Sequence, residues 1–190
     1  MSQAKTLNEQ ELKQVLTYIS NKKYSARDRA LILTSHYSGM RVGEIASLTV
    51  GHVLDAGGNI RGEIRLTAEQ TKGKHPRTVF VNSKLKEELA NYIQLIRTDD
   101  KERTLFPTQK SPRRGFTANT LTQHFLSIYR SAGIDGASSH SGRRTYATTI
   151  ASQGVGLRVL MRLMGHRNVS TTAVYIDAND NMLRNAVELV

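Results

Sequence analysis

The sequence predicts a mainly α-helical domain that carries a small three-stranded antiparallel β-sheet. Two observations predict it. Apolar residues recur at helical period through most of the 190 residues. Between His52 and Val81 that period gives way to short alternating runs separated by turn residues.

In chain order, Thr6-Leu7-Asn8-Glu9 has capping-box spacing and introduces a helix with Leu12, Val15, Leu16 and Ile19 on one face. After the basic connector Asn21–Tyr24, Ser25 and Asp28 open a second helix through Ala30, Leu31, Leu33 and Tyr37, which stops at Gly39. A short helix follows over Met40–Leu48, with Arg41 in its first turn and Glu44 three residues on, near enough to orient it. Taken alone, such a pair reads as a surface ion pair.

The three strands are Val53-Leu54, Glu63–Thr67 and Thr78–Val81. The last connection, Thr71–Arg77, is a basic turn in which Gly73 and Pro76 supply the tight geometry and Lys72, Lys74, His75 and Arg77 supply the charge. A stiff two-stranded arm of this kind can reach a DNA groove or set an ammonium against a phosphate. Lys84–Ile96 is a scaffold helix with an apolar face. Thr98–Gly115 has no periodicity and reads as a loop, whose Lys110, Arg113 and Arg114 are candidate backbone-phosphate contacts. Thr117 caps a helix that Gly133 ends; His124 on its polar side reads as an ordinary surface histidine.

Ser138 or Ser139 then caps a helix with His140, Arg143 and Arg144 in its first turn and Gly154 as its stop. Backbone N–H donors and the positive end of the macrodipole make that helix start an anion site. Leu157–Met164 is a short helix ending at Gly165, with His166 just beyond it, and Ser170-Thr171-Thr172 begins a last turn or two carrying Tyr175. Asp177–Val190 reads as a loop and a short tail helix. Arginine offers phosphate a planar fork, histidine a donor near neutral pH, and tyrosine a hydroxyl that can attack.

Composition narrows the partners. A net charge of +11 and a pI of about 10.1 are the footprint of a protein that meets polyanions, with nucleic acid first among them. The alternatives are a merely basic protein or one lying on anionic membrane; no basic amphipathic helix with an aromatic face is visible and tryptophan is absent. The absence of cysteine excludes disulfides, thiolate-zinc sites and cysteine catalysis. No apolar run reaches spanning length and residues 1–10 do not resemble a signal peptide, so a cytoplasmic protein is expected.

Four motifs, in order, turn these separate residues into one set: Ser38-Gly39-Met40-Arg41-Val42-Gly43-Glu44-Ile45, Thr71-Lys72-Gly73-Lys74, His140-Ser141-Gly142-Arg143-Arg144-Thr145-Tyr146-Ala147, and Leu163–Tyr175 with its Gly165-His166. In these the chain resembles the catalytic domain of the tyrosine recombinase (phage integrase) family over nearly its whole length. Gly142 stands where that family commonly has leucine, and Arg144 where it often has histidine.

The resemblance implies a DNA breaking-rejoining fold and a site-specific recombinase acting in integration, excision or inversion. Tyr175 would form a 3′-phosphotyrosyl bond, Arg41 and Arg143 balance the phosphate charge, and Lys72 act as general acid, with Lys74 able to take its place. His140 and His166 would donate to phosphate or handle the tyrosine proton, and Glu44 would support Arg41. Lys74, His75, Arg77, Lys110, Arg113, Arg114 and Arg144 would contact DNA. No metal, ATP or other cofactor is implied.

The implied partner is double-stranded DNA at the nucleoid, with a homo-tetramer on paired sites and a monomer or dimer without DNA. Residues 1–190 form one catalytic domain without an N-terminal core-binding domain, either a single-domain member or a fragment, and residues 178–190 form a tail that docks on a neighbouring subunit or on its own domain. Two other activities share these residues: supercoil relaxation of the type IB topoisomerase kind, and DNA binding by a catalytically silent regulator. Without DNA, Tyr175 is expected out of reach of any phosphate held by Arg143.

Overall fold

A computed structural model describes residues 4–98, 100–176, 183–184 and 187–188. Most of the tail expected over residues 178–190, and with it the tail's docking, lies outside them. Helix α1 (Glu9–Ser20) begins at Asn8, whose side chain accepts from the Glu11 amide while the Glu11 carboxylate accepts from the Asn8 amide. The capping box thus lies two residues beyond Thr6, because Leu7 is drawn into the core and its amide donates to Thr145.

Helix α2 (Ser25–Ser38) is the internal pillar. It is buried nearly all round, packed against α1, α5 (Ser83–Ile96) and α7 (Ser141–Ser152). Asp28 is not spent on capping it: the carboxylate accepts from Arg27 and bonds the His124 ring at 2.8 Å. His124, expected at the surface, joins that buried group and stacks on Phe116, which ties α2 to α6 (Ala118–Ser131). Gly142 lets α7 lie almost against α2; a Cβ there would stand 2.5 Å from Ser35 Oγ and 3.0 Å from the His36 amide nitrogen. That close approach accounts for glycine at this position.

The sheet is smaller than the sequence pattern suggests. Val50–Val53 forms a helical turn, α4, and Leu54 makes only an isolated bridge to Ile60. The paired strands are β1 (Glu63–Leu66) and β2 (Arg77–Phe80), antiparallel in the register Glu63 to Phe80. Conversely, the stretch read as a loop holds a second hairpin, β3 (Pro107–Thr108) with β4 (Ser111–Gly115). Period-2 alternation is undetectable in segments this short, so both differences arise where tertiary packing decides.

The main core joins α1, α2, α5, α6 and the β1–β2 pair around Leu31, Ile64, Leu89, Phe106 and Phe125. A satellite core of Ala147, Ala151, Leu160 and Met164 lies between α7 and α8 (Leu157–Met164), with Tyr146, Ile150, Tyr175 and Ile176 packed on it. Helix α9 (Val169–Ala173) follows and packs on α8.

His36, near the end of α2, makes the interior sensitive to acid. Its Nδ1 is buried without a hydrogen-bond partner, and burial, aided by the Lys84 charge, pushes its pKa from 6.5 down to about 4. Between these values the unfolded chain binds a proton that the folded chain refuses. The contribution is therefore complete above about pH 6.5, falls as pH drops toward 4, and amounts to about 3 kcal/mol at most. Urea unfolding of wild type and His36→Gln from pH 7 to 4 should show the wild type losing more stability; equal losses would refute this.

Candidate active site

The candidate side chains stand at element termini or in the turns between elements. Arg41 is the N-cap of α3 (Val42–Ala46), extended at φ −73° and ψ 151°, so its side chain leaves the helix axis toward the surface. Glu44 is 1 % exposed, and its carboxylate accepts from the Arg41 amide at 2.7 Å and from Arg41 Nη1 at 3.2 Å. The expected Arg41–Glu44 pair exists, but Glu44 is bound as closely by a second arginine. Arg77 donates to it through Nη2 at 2.7 Å and through Nε at 3.2 Å.

Arg77, expected at the DNA-facing turn, thus points inward, with its side chain 8 % exposed and its Nη1 donating to the Leu163 carbonyl at 2.8 Å. It begins β2, and pleat and pairing fix its direction. Burial of Glu44 favours its neutral form, but the Arg77 hydrogen bonds and charge, then those of Arg41, outweigh it and hold the carboxyl below its usual range.

Arg143, in the first turn of α7, is 4 % exposed. Its guanidinium donates to the carbonyls of Gly39 and, at 2.7 Å, Met164, and to His166 Nε2 at 2.9 Å. It touches no carboxylate among the described residues. Burial first, then the charges of Arg41 and Arg77, bring its pKa down to about 9, which leaves it cationic at neutral pH.

The contacts also fix the His166 proton. Arginine can only donate, so Nε2 must accept and Nδ1 must carry the hydrogen, which it donates to Thr172 Oγ1 at 2.9 Å. Burial and the three arginines push His166 down to about 4, so the ring is neutral. Thr172 is completely buried in α9, a link between this ring and the helix that precedes Tyr175, which the sequence does not single out.

His140 is the N-cap of α7, where a serine cap was expected; Ser138 instead braces the turn, accepting from the His140 amide at 3.2 Å. The imidazole is exposed, and partial desolvation, then Arg143, Arg41 and Lys72, lower its pKa. Tyr175 follows α9, and its ring stacks on His166 with centroids 6.2 Å apart. It lines one hollow with His140, Arg143 and Arg144. Tyr175 also packs on the satellite core, beside the hollow it shares with Arg143.

A second hollow, joined to the first through the Arg143–His166 contact, is lined by Arg41, Lys72, His75, Arg77 and His166. Arg162, Arg167 and Asn168, which the sequence reading passed over, complete this wall. Lys72 faces this hollow, whereas Lys74, in a left-handed conformation at φ 50°, is not among its lining residues. Neither hollow is lined by a carboxylate; Glu44 lies beneath the arginines as their shared anion. Lys110, Arg113 and Arg114 are exposed on or beside the β3–β4 hairpin and line neither hollow. Among the described residues no three His, Asp or Glu side chains gather as metal ligands would.

Such a constellation can hold one anion between arginines with a hydroxyl nucleophile beside it. A family model described as "Phage integrase family" matches residues 5–182. The chain belongs to the phage integrase family. Among curated relatives, the tyrosine recombinase XerA of Pyrococcus furiosus is 29% identical, over 97% of this integrase-family chain and 61% of the relative. The tyrosine recombinase XerD of Rickettsia conorii is 27% identical, over 93% and 61% respectively.

A crystal structure of XerA recombinase matches with a TM-score of 0.72 at 26% identity, over 97% of this chain and 62% of that one. The integrase of transposon Tn1549, solved with transposon right end DNA, has a TM-score of 0.75 at 18% identity and shows the same fold. The integrase-family chain thus spans about three fifths of the length of these relatives.

Proposed function

We propose that this chain is the catalytic domain of a site-specific DNA recombinase. In this reading the Tyr175 hydroxyl attacks a phosphodiester, the new O–P bond forms a 3′-phosphotyrosine, and the P–O5′ bond breaks. Lys72 gives its proton to the departing 5′ oxygen, which would otherwise leave as a poor alkoxide. Arg41 and Arg143 hold the non-bridging oxygens, where negative charge grows in the transition state. His140, exposed beside Tyr175, takes the tyrosine proton, while His166 keeps Arg143 in place.

Ligation is the reverse, from another strand's 5′-hydroxyl, so bond energy is conserved and neither ATP nor metal is invoked. Exchange between duplexes needs several such sites, which calls for a homo-tetramer on paired DNA sites and a monomer or dimer beforehand, acting at the nucleoid in the cytoplasm. In this reading Lys74, His75, Lys110, Arg113, Arg114 and Arg144 contribute phosphate contacts.

The observation that carries this reading is the single hollow shared by Tyr175, Arg143 and His140. Duplexes with a random central segment and a nick near the point of attack would trap the intermediate. A covalent protein–DNA adduct that survives denaturant and vanishes in Tyr175→Phe is the expected result. DNA binding without any adduct would favour a silent regulator; relaxation of supercoiled plasmid without a defined site would favour a topoisomerase.

A further inference from the structure

Lys72 sits in the ten-residue connection between β1 and β2, yet a general acid must be held within hydrogen-bond reach of its oxygen. Side chains tie each limb of that turn to an element of the active site. On the outgoing limb, Gln70 donates to Ser47 Oγ at 3.1 Å, just beyond α3, and accepts from the Thr67 amide at 2.9 Å. At the tip, Thr71 Oγ1 donates to the His75 carbonyl at 2.7 Å and accepts from the His75 amide at 3.1 Å, closing the turn on itself.

On the return limb stands Arg77. Its fork joins Glu44 of α3 on one side and the Leu163 carbonyl at the end of α8 on the other. The side chain runs directly over Gly165, where a Cβ would meet Arg77 Cδ at 2.6 Å. Gly165 is also at φ +61°, and the next residue is His166. The glycine therefore serves two needs: it ends α8, and it leaves the channel through which the arginine reaches Leu163. Beyond it, Arg167 Nη1 meets His75 Nε2 at 2.7 Å, a second contact between the turn and the His166 segment.

We infer that Arg77 is a positioning residue that sets the lysine turn against both Arg41 and His166, so that Lys72 meets the 5′ oxygen of the phosphate those residues hold. The inference rests on the recombinase reading above, with Lys72 as the acid. A buried ion pair adds little net stability but can favour one geometry, and here each of the three Arg77 side-chain nitrogens is bonded.

The test compares two leaving groups at one site. In the duplex that the wild type cleaves best, the bridging 5′ oxygen is replaced by sulfur; thiolate leaves without being protonated, so loss of the acid no longer matters. Arg77→Lys keeps a cation for Glu44 but cannot also span to Leu163. Adduct formation by Arg77→Lys should fall by at least about tenfold on the oxygen substrate and by less than about threefold on the sulfur one, as for Lys72→Ala.

Equal losses on both substrates, with Lys72→Ala restored by sulfur, overturn the inference and leave the recombinase reading standing. Failure of sulfur to restore Lys72→Ala overturns Lys72 as the acid and the inference with it. Absence of any wild-type adduct overturns the recombinase reading itself. Amide exchange in the DNA-free protein supplies a readout independent of cleavage. In Arg77→Lys the Lys74 and His75 amides, both bonded to Thr71, should exchange at least about tenfold faster than in wild type while α2 stays protected; unchanged exchange overturns the inference.

Discussion

Arg143→Lys should lower the rate of covalent adduct formation by on the order of 10²–10³ without unfolding the domain. Lysine replaces a fork by a point and cannot serve the Gly39 and Met164 carbonyls and His166 while also facing a phosphate. It also starts with a pKa about two units or more below arginine's. The burial and neighbouring arginines that lower Arg143 would lower a lysine in the same direction, from a lower starting point.

Residual activity of the variant should therefore rise as pH is lowered from 8.5 toward 7, a limb absent from the wild type. The sign follows from the charged form being the active one and protonation restoring it. Single-turnover adduct formation across that range is the measurement. A loss smaller than about tenfold, or parallel pH profiles, would remove Arg143 from the transition-state contacts.

Glu44→Ala should be the most destabilising single substitution in the site, costing about 3–5 kcal/mol and lowering Tm by on the order of 10 °C. Glu44 is the buried anion between Arg41 and Arg77, and its removal leaves Arg77 charged and almost enclosed with only the Leu163 carbonyl for company. Replacing both members of the pair removes that uncompensated charge, so Glu44→Met with Arg77→Met should regain part of the loss. Thermal unfolding of the two single variants and the double variant measures the coupling. A cost for Glu44→Ala below about 1 kcal/mol would show that the cationic hollow stands without this carboxylate.

Much of the molecule was legible because its signals are local. Apolar residues three and four apart placed α1, α2, α5, α6 and α7, and Gly39, Gly133 and Gly165 marked helix ends in the left-handed conformation. Thr117 does cap α6, accepting from the Thr120 amide. The caps of α1 and α2 differ because Leu7 and Asp28 are claimed by tertiary contacts that a cap rule cannot see, and that of α7 because Ser138 bonds locally to the Ser141 hydroxyl and the His140 amide. The short β3–β4 hairpin was missed for lack of any repeat long enough to register.

The site divides the same way. The order and spacing of Arg41, Lys72, His140, Arg143, His166 and Tyr175 are properties of the chain alone, and they suffice to identify the family. Which of these charges reaches solvent, and which holds another in place, was decided by folding. Arg77 and Lys72 lie five positions apart on one basic turn, yet one is locked against Glu44 and the other stays exposed over the hollow. Sequence spacing encodes helical neighbours three or four residues away. The Arg77–Glu44, Arg77–Leu163 and Arg143–His166 contacts join residues 33, 86 and 23 positions apart, so only the closed tertiary structure brings them together.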